Sequence, residues 1–141
     1  MESSILVTKL FIPPTRSELV QRPLLIERLN NGLDRKLTLI SAPAGFGKTT
    51  LVADWVKTLP PNSSAKTQDI LRVAWLSLDD ADNDFNRFLT YFITALKQAA
   101  GANPEFCSAS LEMLRSPHLP PNETIWTSLI NEVASIDGKV I

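Results

Sequence analysis

Hydrophobic and polar positions change period several times along this chain, and the changes mark out its elements. Between Asn86 and Ala100, NRFLTYFITALKQAA, apolar Phe88, Leu89, Phe92, Ile93 and Leu96 recur every three or four positions, and Gly101 follows. That spacing predicts a helix with one face in the core and a glycine stop. After Pro23, which suits the first turn of a helix, Leu24, Leu25, Leu29 and Leu33 repeat with the same period, and Gly32 stands near the end. TTLVADWVKTL predicts another helix that stops before Pro60 and Pro61, and PNSSAKTQD then reads as a polar surface connection. Weaker helical patterns cover Ser108 to Arg115 and Glu123 to Ile136, separated by the proline-rich SPHLPPN.

Three apolar runs follow a different rule. KLTLIS (Lys36 to Ser41) and RVAWLSL (Arg72 to Leu78) are short and rich in β-formers, so each predicts a buried strand; KVI, after the Asp137-Gly138 turn, begins another. Strands alternating with helices predict an α/β fold with a mainly parallel sheet flanked by helices. The opening Ile5 to Arg22 holds Pro13-Pro14, which excludes a continuous helix, and predicts an extended arm. The expected organisation is therefore an arm over 1–22 and one domain over 23–141. A buried parallel strand usually has about five residues, and KVI supplies only Lys139, Val140 and Ile141. The domain is thus expected to be truncated, with its C-terminal part missing.

Composition works mainly by exclusion. The chain has 141 residues and is 44% hydrophobic, enough for one core but too little for two. Its 14 basic and 15 acidic residues are interspersed, which leaves no Lys/Arg cluster for a nucleic-acid footprint. Cys107 is the only cysteine, so an intrachain disulfide and a cysteine metal site are both ruled out. It is expected to be a small buried hydrophobe. MESSILVTKLF lacks the basic region and sustained apolar run of a secretion signal, and no stretch nears the roughly 18 apolar residues of a membrane span. A cytoplasmic protein with no membrane partner is expected. His118, among prolines, reads as a loop residue, and Trp55, Trp75 and Trp126 read as core.

The chemistry concentrates in ISAPAGFGKTTL, Ile40 to Leu51. Against the phosphate-loop pattern GxxxxGK[ST], only the first glycine is replaced, by Ala42, while Gly45, Gly47, Lys48, Thr49 and Thr50 all fit. Glycines let such a loop turn sharply and bring backbone amides against phosphate oxygens. The expected nucleotide-binding residues are Ala44, Gly45, Phe46, Gly47, Lys48, Thr49 and Thr50. In this reading Lys48 places its ammonium near the β- and γ-phosphates, and the Thr49 hydroxyl is a Mg²⁺ ligand. The predicted fold is accordingly of P-loop NTPase type. Hydrolysis also needs an acidic residue at the end of a neighbouring strand. WLSLDD ends in Asp79 and Asp80 and is one candidate, in which case the chain is a stand-alone P-loop kinase or ATPase. Equally, DDADND reads as a solvated loop capping the helix that begins near Asn86. The acidic strand is more naturally sought at the truncated KVI.

Several segments together carry a more specific resemblance. LVTKLFIPPTR, LVQRPLLIERLNNGL, LTLISAPAGFGKTTLVADW and VAWLSLDDADNDFNRFLTYFITAL, in this order and spacing, resemble the N-terminal part of the MalT-like regulators of the LuxR family, within the signal-transduction ATPases with numerous domains. The resemblance is close over residues 5 to 100 and looser to Ile141. It implies an ATP- or ADP-bound, Mg²⁺-dependent switch in a transcription activator, with slow hydrolysis in the full-length protein and at most weak nucleotide binding by this piece. It also implies that a small-molecule inducer and DNA are met through regions beyond it, and that the full-length protein self-associates. Arg22, in LVQRP, resembles the arginine that related switch ATPases place near the nucleotide, although Gln21 stands where they have glycine.

Overall fold

The computed structural model describes residues 5–16, 18, 20–60, 70–101, 103 and 105–141. The chain divides into two compact units. One, the body, joins Met1–Phe11 to Asn62–Ile141; the other, the loop unit, is Ile12–Pro61. The expected surface connection PNSSAKTQD lies outside the described residues, apart from what flanks it.

The body is built around helix α3, Phe85–Ala100. Asp84 starts it by accepting a hydrogen bond from the Arg87 amide at 2.8 Å, and Gly101, at φ +79°, ends it. Leu89 and Ile93 are fully buried, and Leu96 nearly so, as their spacing predicts. Ile93 and Leu96 pack with Phe106 and Cys107, just before helix α4 (Ser108–Arg115), and with Leu129 of helix α5 (Asn122–Ala134), and Leu111 and Leu114 of α4 pack against the same cluster. Burial of each large apolar side chain there contributes about 1.5–3 kcal/mol. A second stripe, Tyr91 and Ala95, packs against Leu10 of the arm. Helix α3 is therefore buried on two sides, whereas its apolar periodicity predicted one.

A two-stranded parallel sheet closes the body. β1 (Leu71–Arg72) pairs with β2 (Lys139–Val140), with Leu71 opposite Lys139 and Arg72 opposite Val140. The Lys139 amide donates to the Ile70 carbonyl at 2.8 Å and the Ile141 amide to that of Arg72 at 2.9 Å. Gly138 leads into β2 at φ +93°, where an added Cβ would lie 2.4 Å from the Ile70 carbonyl oxygen. Helices together with this parallel pair make the chain an α/β protein.

Two predicted strands need correction. RVAWLSL is strand only at its first residue, together with Leu71; from residue 73 to Asp79 the backbone is irregular. Strands exist by pairing, and past Ala74, whose amide reaches the Ile141 carbonyl, the ladder gives way to a single bond from Ser77 to Lys9 of the arm. KLTLIS forms no strand, and Leu37 and Leu39 are more than four-fifths exposed. Its β-propensity is satisfied by no neighbour, because among the described residues the loop unit contains no other strand. The arm also differs from a fully extended segment, since Val7–Leu10 coil into a short 3-10 helix. None of the three tryptophans is buried, and Trp126, 37% exposed, meets Phe85 edge-on.

The loop unit carries helix α1 (Pro23–Gly32) and helix α2 (Lys48–Thr58). Pro23 occupies the first turn of α1, and the Arg22 carbonyl accepts from the amides of Leu25 and Ile26. Leu29 and Ala53 are the buried residues of the two helices, and the Trp55 indole donates to Asn30 at 2.8 Å. No described helix is long and apolar enough to cross a membrane.

Candidate functional site

The glycine loop runs from the irregular segment after α1 directly into α2. Gly45 and Gly47 take φ values of +83° and +78°, and Gly47 is the residue that precedes the first turn of α2. For a residue bearing a Cβ this left-handed region costs about 1–2 kcal/mol. An added Cβ at either glycine would meet nothing within 4 Å, so backbone conformation selects glycine here, not crowding. The same open space leaves the loop's outer surface accessible. A turn from the Phe46 amide to the Pro43 carbonyl, 3.4 Å, closes the loop and puts the Phe46 ring out at 65% exposure.

Lys48 folds back over this loop. Its ammonium donates to the carbonyls of Ala42 at 2.6 Å and Pro43 at 3.0 Å. The Ala42 position therefore contributes a backbone acceptor, which any residue type supplies. The Leu51 amide bonds to the Gly47 carbonyl at 2.9 Å, which begins the helical ladder. The amides of the first turn before it have no acceptor within the helix and share its positive dipole end. Thr49 is exposed and Thr50 half-buried. A loop of this form, with a cation, free amides and no Cβ barrier, fits an oxyanion such as a phosphate.

Arg22 shares this neighbourhood. It lines one cavity of about 460 Å³ together with Gly47 and Thr50, and a second of about 340 Å³ together with Phe46, Gly47 and Lys48. The structure thus brings Arg22 and the glycine loop to common walls, with Ala44 and Gly45 on the exposed turn.

Asp79 and Asp80 belong to the body. Asp79 caps a 3-10 helix, Asp80–Asn83, by accepting from the Ala81 amide at 3.0 Å, while its own amide donates to Asp82 at 2.8 Å. Asp79 also pairs with Lys9 at 2.7 Å. Of the two readings of DDADND, the geometry favours the capping loop. Sequence reasoning missed Asp82, the buried member of the group. It holds Lys9 at 2.5 Å and Arg87 at 3.1 Å, and both cations lie over the Tyr91 ring. The hydrogen bond from Lys9 lowers the Asp82 carboxyl to about 2, aided by its bond to the Asp79 amide. For Lys9, burial opposes the charge, but bonds to Asp79 and Asp82 outweigh it and raise the ammonium above its usual range. The one sequence signal was a lysine set within the apolar run LVTKLF.

His118 lies in a bend, as expected, and Cys107 is completely buried. Desolvation, reinforced by Glu132, pushes its thiol up to about 12. Among the described residues no group of three or more His, Cys, Asp or Glu is placed to hold a metal.

The family described as "Nephrocystin 3, N-terminal" matches residues 14–140. The chain belongs to that family. The match takes in the glycine loop and the five α-helices found among the described residues. This family member is also 35% identical over 137 residues, 96% of its length, to the HTH-type transcriptional regulator MalT of Yersinia pestis (strain Pestoides F). It is 31% identical over 131 residues, 93% of its length, to the protein of the same name from Cronobacter sakazakii. The MalT-like resemblance read from the sequence is borne out. The chain spans about 14% of the length of the first of these relatives and 13% of the second.

Proposed function

We propose that this chain is the nucleotide-binding segment of a MalT-like transcription regulator, built on a P-loop NTPase plan. The observation that carries the reading is the loop itself: two glycines in the left-handed region, followed by Lys48 whose ammonium is already held at the loop by the Ala42 and Pro43 carbonyls. An incoming phosphate competes for that ammonium with neutral acceptors, and charge-assisted bonds win such exchanges. Arg22 contributes a second cation to the same walls. Ala44, Gly45, Phe46, Gly47 and Thr50 shape the cradle, and Thr49 offers its hydroxyl to a Mg²⁺ ion held chiefly by the phosphates. The reading assigns this chain binding of ATP or ADP and places slow turnover in the whole regulator.

In the whole regulator, the difference between nucleotide states controls self-association and DNA binding through other parts, where the inducer also acts, in the cytoplasm. The relatives' name, HTH-type transcriptional regulator, supports the DNA-binding part of this reading. A nucleotide held equally by both conformations would shift nothing, so the switch requires γ-phosphate contacts that differ between them.

Calorimetric titration of the chain with ATP and ADP, in parallel with Lys48→Ala, tests the proposal. Binding that Lys48→Ala weakens tenfold or more supports it. Equal heats from both proteins would remove the phosphate-loop assignment.

A further inference from the structure

Residues 5–11 touch the body as a short peptide touches its receptor. Leu10, 5% exposed, enters a hollow walled by Tyr91 and Ala95 of α3, and Ile5, Ala74 and Leu76 pack against the same cluster. Two backbone groups fix the register: the Leu6 amide donates to the Tyr91 hydroxyl at 2.9 Å, and the Lys9 carbonyl accepts from the Ser77 amide at 2.8 Å. The Lys9 ammonium then reaches Asp82 at 2.5 Å and Asp79 at 2.7 Å, and lies 5.0 Å from the centre of the Tyr91 ring. Apolar plug, clamped cation and backbone bonds all fall between Ile5 and Leu10.

The groups that receive this segment come from residues 74–95. In sequence, the whole loop unit, Ile12–Pro61, stands between arm and socket. The arm is therefore bound by a site that the chain builds elsewhere, and the same contacts form whether the arm arrives from its own chain or from another. Exchange of such an element is a low-cost route to a dimer. The exit from the arm supports it, because Phe11 and Ile12 are exposed and Pro13-Pro14 stiffen the backbone that follows. The socket is also selective. A segment without a lysine just before its apolar plug leaves the buried Asp82 carboxylate with Arg87 alone. The arm of a second copy meets that demand by construction.

We propose that this socket accepts the arm of a second copy, so that two chains join by exchanging residues 5–11. The exchange is independent of the glycine loop and needs no nucleotide. A tethered arm competes for its own socket at an effective concentration of at most about millimolar. The monomer thus prevails in dilute solution, and the exchanged dimer is reached when chains are concentrated, above all when they refold together.

The test mixes two variants. Lys9→Glu keeps an intact socket and carries an arm that no longer docks; Asp82→Lys keeps an intact arm and carries a socket that repels it. Circular dichroism establishes that each is folded. Light scattering should find each monomeric alone and a one-to-one heterodimer on mixing. A synthetic peptide of residues 1–12 should bind Lys9→Glu and compete with the heterodimer, and the same peptide carrying Lys9→Glu should bind about a hundredfold more weakly. Lys48→Ala introduced into both chains should leave the heterodimer intact, which separates arm exchange from any association driven by nucleotide. Folded variants that stay monomeric when mixed, or a peptide that does not bind, overturn the proposal. Should either variant fail to fold, the wild type decides: refolded from urea at about millimolar concentration it should give dimers that persist on rapid dilution, and at about micromolar concentration monomers. Monomers in both cases overturn it.

Discussion

Lys9 and Asp82, 73 residues apart in sequence, meet at 2.5 Å with both side chains almost wholly removed from water. The contact fastens the arm to the body where Leu10 packs on Tyr91 and Ala95, and where the Leu6 amide donates to the Tyr91 hydroxyl at 2.9 Å. Removing either charge leaves the other buried with a single ionic partner, Asp79 for Lys9 or Arg87 for Asp82, which costs more than the pair is worth.

Acid should reveal this contact. Folding depresses the Asp82 carboxyl from its ordinary 3.8 to about 2, so the folded state favours the ionised form. Its contribution to stability is complete above about pH 4 and is lost as the pH falls through about 2. Thermal melts of the wild type between pH 5 and 2 should therefore fall more steeply than those of Asp82→Asn, which starts less stable at pH 7. Parallel slopes would show that Asp82 is not held in this way.

Gly138→Ala should destabilise the body by about 1–3 kcal/mol in urea titration. The position combines φ +93° with a backbone oxygen 2.4 Å from any Cβ, and that oxygen accepts the first bond of the β1–β2 ladder. An unchanged midpoint would mean that the two strands contribute little.

Ile93→Ala should cost about 2–5 kcal/mol, since it empties space between α3, α4 and α5 that has no other occupant. Leu24→Ala, on a side chain 74% exposed, should change stability by less than about 0.5 kcal/mol under the same titration.

Cys107 should resist alkylation by iodoacetamide at pH 8, because its thiol is fully buried and pushed up to about 12. Labelling should rise with urea in step with loss of helical signal. Rapid labelling of the folded chain would contradict the packing of α4 against α3.

Thr49→Ala should weaken the Mg²⁺-dependent part of nucleotide binding and spare the part that remains in chelator. If titrations with and without Mg²⁺ lose affinity equally, the hydroxyl is not serving the ion.

Local signals carried furthest where structure is local. The helix from Pro23 to Gly32 and that over Ser108 to Arg115 form with the bounds their caps and periodicity imply, and α3 misses by one residue at its start. Strands fared worse, because a strand is a property of two segments. KLTLIS has the composition but lacks a neighbour, while KVI gains one in Leu71–Arg72. For the site, the loop glycines and Lys48 were legible because their spacing is fixed within a few residues. The Lys9–Asp82 pair was not, since nothing in either local sequence names the other.

The arm's dependence on the body also has a schedule. During synthesis residues 5–11 leave the ribosome ahead of Asp82, Arg87 and Tyr91, which follow them by more than seventy positions. At about 5–20 residues per second the arm waits roughly 4–15 s for its partners. For that interval Leu10 travels without the cover that Tyr91 and Ala95 later give it, and the 12–61 segment has the opportunity to fold before the body can close around residues 5–11.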